Sequence, residues 1–266
     1  MEGNDSSLMN KIKTDWFNSL IGITSIAVIS LCFIVKPTFL FAQGPQRVKE
    51  TSHNLSSSGI GIFGTSDADV TEICVFCHTP HNADVKYPLW NRYSTTARTF
   101  TLYTSHTKDA QMPGDLAPDS ASRLCLSCHD GITALNALVN YGTFGHKPNM
   151  ILGADTLSDG ADYEEGIGAN IGTYLRNDHP VGFDYEIAQS TDGKLHPIAQ
   201  VKAAGLKFFG SNGNFMECPT CHDPHVDYDY VKEGLYDFSG NGDYRYRPFL
   251  RKTNVSSELC FTCHNK

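Results

Sequence analysis

Positive charge is scarce in this chain. Its 266 residues hold 21 Lys+Arg against 29 Asp+Glu, a formal net charge of −8. A nucleic-acid binder would need the opposite, a basic stripe able to release counterions, so nucleic acid is excluded as a partner. Charge of either sign is modest at 19%, and the 40% apolar content excludes a chain too polar to fold. Methionine is rare, and only Met112, Met150 and Met216 lie beyond the first 42 residues. Periodic apolar patterning is sparse too, while 23 Gly and 12 Pro suit a loop-rich fold without reaching low complexity.

Cysteine is what the chain does have. Eight of nine cysteines fall in one pattern, Cys-x-x-Cys-His: Cys74 and Cys77 before His78, Cys125 and Cys128 before His129, Cys218 and Cys221 before His222, Cys260 and Cys263 before His264. Two thiols at this spacing reach the two vinyl groups of one haem and become thioethers. The adjoining histidine then lies under the iron as its proximal ligand. The sequence therefore predicts four covalently held haem c groups. Zinc is a poor alternative, because ribbon-type sites need two Cys pairs about 15–20 residues apart. Here the motifs start 51, 93 and 42 residues apart, and a histidine follows every one. Thioredoxin-like redox pairs would not come in four, and a disulfide framework would not hold this spacing.

Covalent haem attachment belongs to the export side of a membrane, and residues 1–42 read as a signal peptide. Lys11 and Lys13 precede the apolar run Leu20–Val35, and Ala42 is a suitable residue before a cleavage site. The run falls short of the roughly 20 residues that span a bilayer; a retained anchor is the alternative. Cys32 inside it follows Leu31 rather than a small residue, so it reads as apolar filler and not as a lipidation site. Loss of this segment leaves the net charge at −8, and haem propionates would add to it. The expected localisation is secreted, at the cell surface or beyond it, with the periplasm as the alternative.

The remainder repeats internally. Cys74-x-x-Cys77-His78-Thr79-Pro80-His81 matches Cys218-x-x-Cys221-His222-Asp223-Pro224-His225, and Ser122-Arg123-Leu124-Cys125 matches Ser257-Glu258-Leu259-Cys260. A lone histidine, His53 or His179, precedes each half. The organisation reads as a first dihaem repeat at 43–150, an acidic Gly-rich linker at 151–178 and a second dihaem repeat at 179–266. Short helices are expected before Cys125 and Cys260 and over Leu135–Val139. The expected fold class is a multihaem cytochrome c, loop-rich with short helices and little sheet. At about 56 residues per haem, the macrocycles would form most of its core.

Six-coordinate iron requires four further ligands. His81 and His225 cannot serve the iron of the motif three residues before them, since so short a chain cannot round a macrocycle about 10 Å across. They must reach a neighbouring haem. The repeat nominates His53, His81, His179 and His225, whereas His106, His146 and His196 have no counterparts in it. Bis-histidine ligation implies low potentials and closes both axial positions, which favours electron transfer over catalysis. Its partners are then redox proteins or an extracellular electron acceptor. An enzyme reducing a small nitrogen oxide is the lesser alternative.

Two other patterns carry no chemistry. Gly59-Ile60-Gly61-Ile62-Phe63-Gly64 follows three serines rather than a buried strand, so it is no dinucleotide fingerprint. Asp237 to Asp243 begins like a calcium loop, but Pro248 occupies the closing position.

Ser52-His53-Asn54-Leu55-Ser56, Cys77-His78-Thr79-Pro80-His81-Asn82-Ala83 with Pro88-Leu89-Trp90-Asn91-Arg92, Asp178-His179-Pro180-Val181-Gly182-Phe183 and Cys221-His222-Asp223-Pro224-His225 together resemble the tetrahaem extracellular cytochromes that polymerise into nanowires. The resemblance runs from about His53 to the carboxyl terminus. It implies bis-histidine irons, haems stacked in an unbroken chain and a head-to-tail filament of identical subunits. It also implies that one axial histidine comes from the next subunit, a role that carries by position to His53. A periplasmic or membrane-tethered shuttle would use the same motifs.

Overall fold

The computed structural model describes residues 48–59, 63–83, 87, 89–93, 97–106, 111–151, 155–157, 169–225 and 248–266. All of these belong to one compact unit, Pro45–Lys266. The expected signal peptide, the calcium-like loop at 237–243 and the middle of the Gly-rich stretch at 60–62 lie outside the described residues.

The chain is loop-rich. Its described α-helices are α1 (Ser122–His129), α2 (Tyr185–Thr191), α3 (Ile198–Ala203), α4 (Cys218–Cys221) and α5 (Glu258–Cys263). Among the described residues one small sheet pairs β1 (Phe183–Asp184) antiparallel with β2 (Phe215–Met216), Phe183 opposite Met216. Local chemistry accounts for the helix starts. Asp184 caps α2 by accepting from the amides of Glu186 and Ile187 at 2.9 and 3.1 Å. Glu217 and Thr220 form a capping box at α4, in which the Glu217 amide donates to Thr220 Oγ1 at 2.9 Å. Gly182, just before β1, has φ +78°, and a Cβ there would lie 2.6 Å from Leu116 Cδ2. No larger residue fits that turn.

The helices expected before Cys125 and Cys260 are present as α1 and α5. The helix expected over Leu135–Val139 is not. Leu138 instead forms an antiparallel bridge with Arg92. The Leu135 amide donates to Asp155 O at 2.6 Å and the Val139 amide to Asn91 O at 3.0 Å, and the carbonyls of Ala134 and Leu135 accept from Arg92. Groups that a helix would bond locally are committed to distant partners.

Among the described residues the buried apolar side chains form four separate clusters rather than one core. Val70, Val75, Phe76 and Leu138 make the first, and Phe100, Leu102, Leu116, Leu126 and Leu175 the second. Leu135, Met150 and Leu157 form a third, with Cys128 against it. The largest gathers Phe183, Tyr185, Ala188, Val201, Leu206, Met216 and Cys263. Every cluster touches a Cys-x-x-Cys-His segment. Within 151–178, the described Leu157 and Leu175 are both buried.

Candidate haem-binding site

Each Cys-x-x-Cys-His segment folds into a helical turn. The histidine amide closes it on the carbonyl of the first cysteine, at 2.7 Å for His78 to Cys74, 3.2 Å for His222 to Cys218 and 2.9 Å for His264 to Cys260, while His129 ends α1. Residues at i, i+3 and i+4 of such a turn share a face, so both sulfurs and the imidazole are available to one ligand. All eight thiols are free of disulfides. Burial pushes the thiols of Cys77 and Cys221 up to about 12 and that of Cys263 up to about 11. For these three that is the reverse of a nucleophilic thiolate, whereas the neighbouring Cys125 lowers the thiol of Cys218.

The four segments are neighbours in sequence order. Cys128 of the second segment lies near enough to Cys77 of the first to help raise its thiol. Cys125 and Cys218 are close enough to perturb each other's thiols, as are Cys221 and the Cys263 and Cys260 pair. At the middle junction α1 packs against α4.

Three motif histidines each face a histidine from outside the motifs. His78 and His225 have ring centroids 6.0 Å apart and planes at 13°. His53 and His129 are 6.1 Å apart at 82°, and His179 and His264 are 6.4 Å apart at 67°. Metal–nitrogen bonds of about 2 Å on either side of one ion, plus about 1 Å from nitrogen to ring centre, separate two opposed imidazoles by about 6 Å. Rotation about the metal–nitrogen axis leaves the plane angle free. The surroundings suit ligation as well. Burial holds His78, His129, His222 and His264 below the usual imidazole value, and His53 falls to about 4 for the same reason, aided by His129 and His225. Neutral imidazole is the ligating form.

Several Nδ1 atoms are held by oxygen acceptors: His129 by Ala169 O at 2.6 Å, His222 by Pro248 O at 2.7 Å, His179 by Pro180 O at 3.0 Å and His225 by Asp223 Oδ1 at 3.2 Å. With the Nδ1 proton engaged, the Nε2 lone pair is free for a metal. His53 Nδ1 and His264 Nδ1 are buried without a hydrogen-bond partner. The 6 Å imidazole pairs beside paired thiols fit an iron porphyrin. Cys74/Cys77, Cys125/Cys128, Cys218/Cys221 and Cys260/Cys263 would tether one each.

Two predicted ligands are not brought together with another imidazole. His81 is exposed, and neither His81 nor His222 makes a ring contact with a histidine among the described residues. His53, the residue that the resemblance assigns to a contact with a second subunit, lies 4.5 Å from the Phe249 ring and beside His129 of its own chain. Of the histidines outside the repeat, His146 has both nitrogens engaged, Nε2 with Asp69 at 3.1 Å and Nδ1 with the Lys147 carbonyl at 3.2 Å. His106 is exposed, and His196 contributes its amide to Cys263 O at 2.8 Å.

The structure adds residues whose role the motifs do not reveal. Asn91 Nδ2 donates to Val75 O at 2.6 Å, inside the first motif, and the Asn91 amide to Cys77 O at 2.9 Å. Arg251 does the same for the third, through Nε to Pro219 O at 2.8 Å and its amide to Cys221 O at 2.8 Å. The preceding residues match too: His78 bridges Trp90 as His222 bridges Leu250, and Leu89 and Phe249 both have positive φ, 65° and 54°. The repeated backbone thus extends beyond the repeated letters. No protein-family model and no curated protein matches the chain.

Proposed function

We propose that this protein is a tetrahaem c-type cytochrome that transfers electrons outside the cytoplasm, built from two dihaem repeats whose macrocycles complete the core. The observation that carries this reading is the 6.0–6.4 Å separation of three motif histidines from three others, a distance at which two imidazoles could hold one iron between them. When bound, haem iron supplies reversible one-electron chemistry. The chain would tether the groups through eight thiols, orient several imidazoles through oxygens on Nδ1, and offer a second imidazole to three of the four groups, a part that suits conduction rather than catalysis. The neighbouring order of the four segments supports an unbroken electron path.

The repeat also supports self-association. His78 of the first half is met by His225 of the second. The equivalent of His78 is His222, and the equivalent of His225 is His81, so His222 calls for His81 from a following unit. In a head-to-tail array that unit is a second copy, and an asymmetric contact that does not close a ring makes a filament. His81 thereby takes the shared role in place of His53, whose imidazole partner is in its own chain.

Pyridine-haemochrome titration and electron paramagnetic resonance of the assembled protein test the reading. The expected result is four covalent haems, all low-spin ferric. Fewer than four, or uptake of carbon monoxide at a vacant iron face in the assembled state, would overturn it. Discrete particles only, in electron micrographs of native material, would leave a soluble shuttle and remove the filament.

A further inference from the structure

Arg92 is fully buried. Its Nε and Nη2 donate to Ser127 O at 3.1 and 3.0 Å, Nη2 also to Ala134 O at 2.6 Å, and Nη1 to Leu135 O at 2.8 Å. Ser127 lies between the two cysteines of the second motif, and the neighbouring Asn91 binds the first motif through Val75 O. The guanidinium therefore sits between the first two segments, close enough to act electrostatically on both Cys77 and His129. Arginine keeps its charge at any pH a folded protein meets. Carbonyl dipoles satisfy its hydrogen bonds but do not cancel that charge, and no carboxylate forms an ion pair with it among the described residues.

The second half treats its cations differently. Lys252, at the position of Arg92, lies 2.8 Å from Glu258, and Arg251, at the position of Asn91, lies 2.6 Å from Asp223. The repeat has kept the backbone and changed the charge. A buried, uncompensated cation favours whichever state of a nearby centre carries less positive charge. For iron that is the reduced state, and net charge and burial are recognised determinants of potential.

We infer that Arg92 splits the four iron centres into two classes, making the pair held by His78 and His129 the higher in reduction potential and the first to accept electrons. This rests on the tetrahaem reading above. In one subunit the second half then holds electrons less tightly and passes them to the first.

The experiment is a spectroelectrochemical titration of the whole protein with its haems, with haem methyl resonances followed by NMR in partly reduced samples. In the wild-type chain, the resonances of the His78 and His129 centres should shift first; the opposite order overturns the inference. In Arg92→Gln those two centres should become at least tenfold harder to reduce, about 59 mV for one electron, with the other two changing less than threefold. Arg92→Lys, which keeps the charge and loses the forked hydrogen bonds, should stay within threefold of wild type. Four low-spin haems in Arg92→Gln with unmoved potentials, or with all four moved equally, would make Arg92 a purely structural residue. If Arg92→Gln does not assemble, the wild-type order alone decides. A chain without four covalent haems overturns the tetrahaem reading itself, which the haem count distinguishes from failure of the charge argument.

Discussion

Ser122 and Glu217, 95 residues apart, join the two halves of the molecule. The Ser122 hydroxyl donates to Glu217 Oε2 and accepts the Cys218 amide at 2.9 Å. Ser120 Oγ donates to the same carboxylate oxygen at 2.7 Å, and the Ser122 amide at 3.2 Å. The contact ties the start of α1 to the start of α4, hence the second cysteine motif to the third.

Burial outweighs these donors and raises the Glu217 carboxyl above its ordinary 4.5. The unfolded chain then releases this proton at lower pH than the folded one. Stability falls as pH rises from about 4.5 to the folded value, above which the loss is complete. Glu217→Gln should remove that fall and leave the protein at pH 7 as stable as wild type or up to about 1 kcal/mol more so. Glu217→Ala, which strands two serine hydroxyls and an amide, should cost about 2–4 kcal/mol. Urea unfolding of the variants at pH 4 and pH 7 measures both.

Asn91 is the matching tie inside the first half. It is fully buried, donating to Val75 O at 2.6 Å and Asn140 O at 2.7 Å and accepting the Asn140 amide at 2.8 Å. Asn91→Ala leaves two carbonyls and an amide unpaired in the interior and should destabilise the protein by about 2–4 kcal/mol. The change should loosen the first motif before the fourth, a difference that amide hydrogen exchange around Val75 and Thr262 resolves. Equal protection at both, with unchanged unfolding, would contradict the role assigned to Asn91.

Asn91 also marks where the sequence stops being legible. The cysteine motifs announce themselves because their spacing is local, and so do the short helices before Cys125 and Cys260. The nomination of His53, His81, His179 and His225 needed only the repeat. Which histidine faces which did not follow, because His225 meets His78 from 147 positions away and no periodicity records such a contact. Leu135–Val139 reads as a helix for the same reason: its apolar spacing is visible, whereas the claim of Arg92 on the carbonyls of Ala134 and Leu135 is not. Arg92 and Glu217 look like surface residues by type, and only tertiary structure reveals that they are buried.

His146 separates surface electrostatics from the site. Its hydrogen bond to Asp69, the nearby Lys147 carbonyl and the negative charge of Asp69 and Asp67 raise its pKa above the ordinary 6.5. A histidine raised on folding contributes stability that is complete below about 6.5 and is lost as pH rises through the folded value. The pair is exposed, so the contribution is small. NMR titration should give His146 a midpoint above 6.5 that returns toward it in Asp69→Asn, with the visible absorption spectrum identical in both proteins. A spectral change on Asp69→Asn would make His146 part of the iron environment after all.

His53 and His81 provide the sharpest contrast. His53 faces His129 within the chain at 6.1 Å, so His53→Ala should leave one iron of the four without its distal imidazole, whether copies associate or not. About a quarter of the ferric signal should turn high-spin, and that fraction should bind carbon monoxide after reduction. His81 is exposed, and its assigned iron belongs to another copy. His81→Ala should therefore leave the spectrum of a separated copy unchanged while abolishing assembly, as read by sedimentation and electron microscopy. Imidazole added in solution should restore the low-spin signal of a separated wild-type copy, because the His222 centre is the one short of a ligand, but it should not restore filaments. If His81→Ala still assembles with every iron low-spin, the shared ligand is some other residue and the correspondence between the two repeats breaks down at that position.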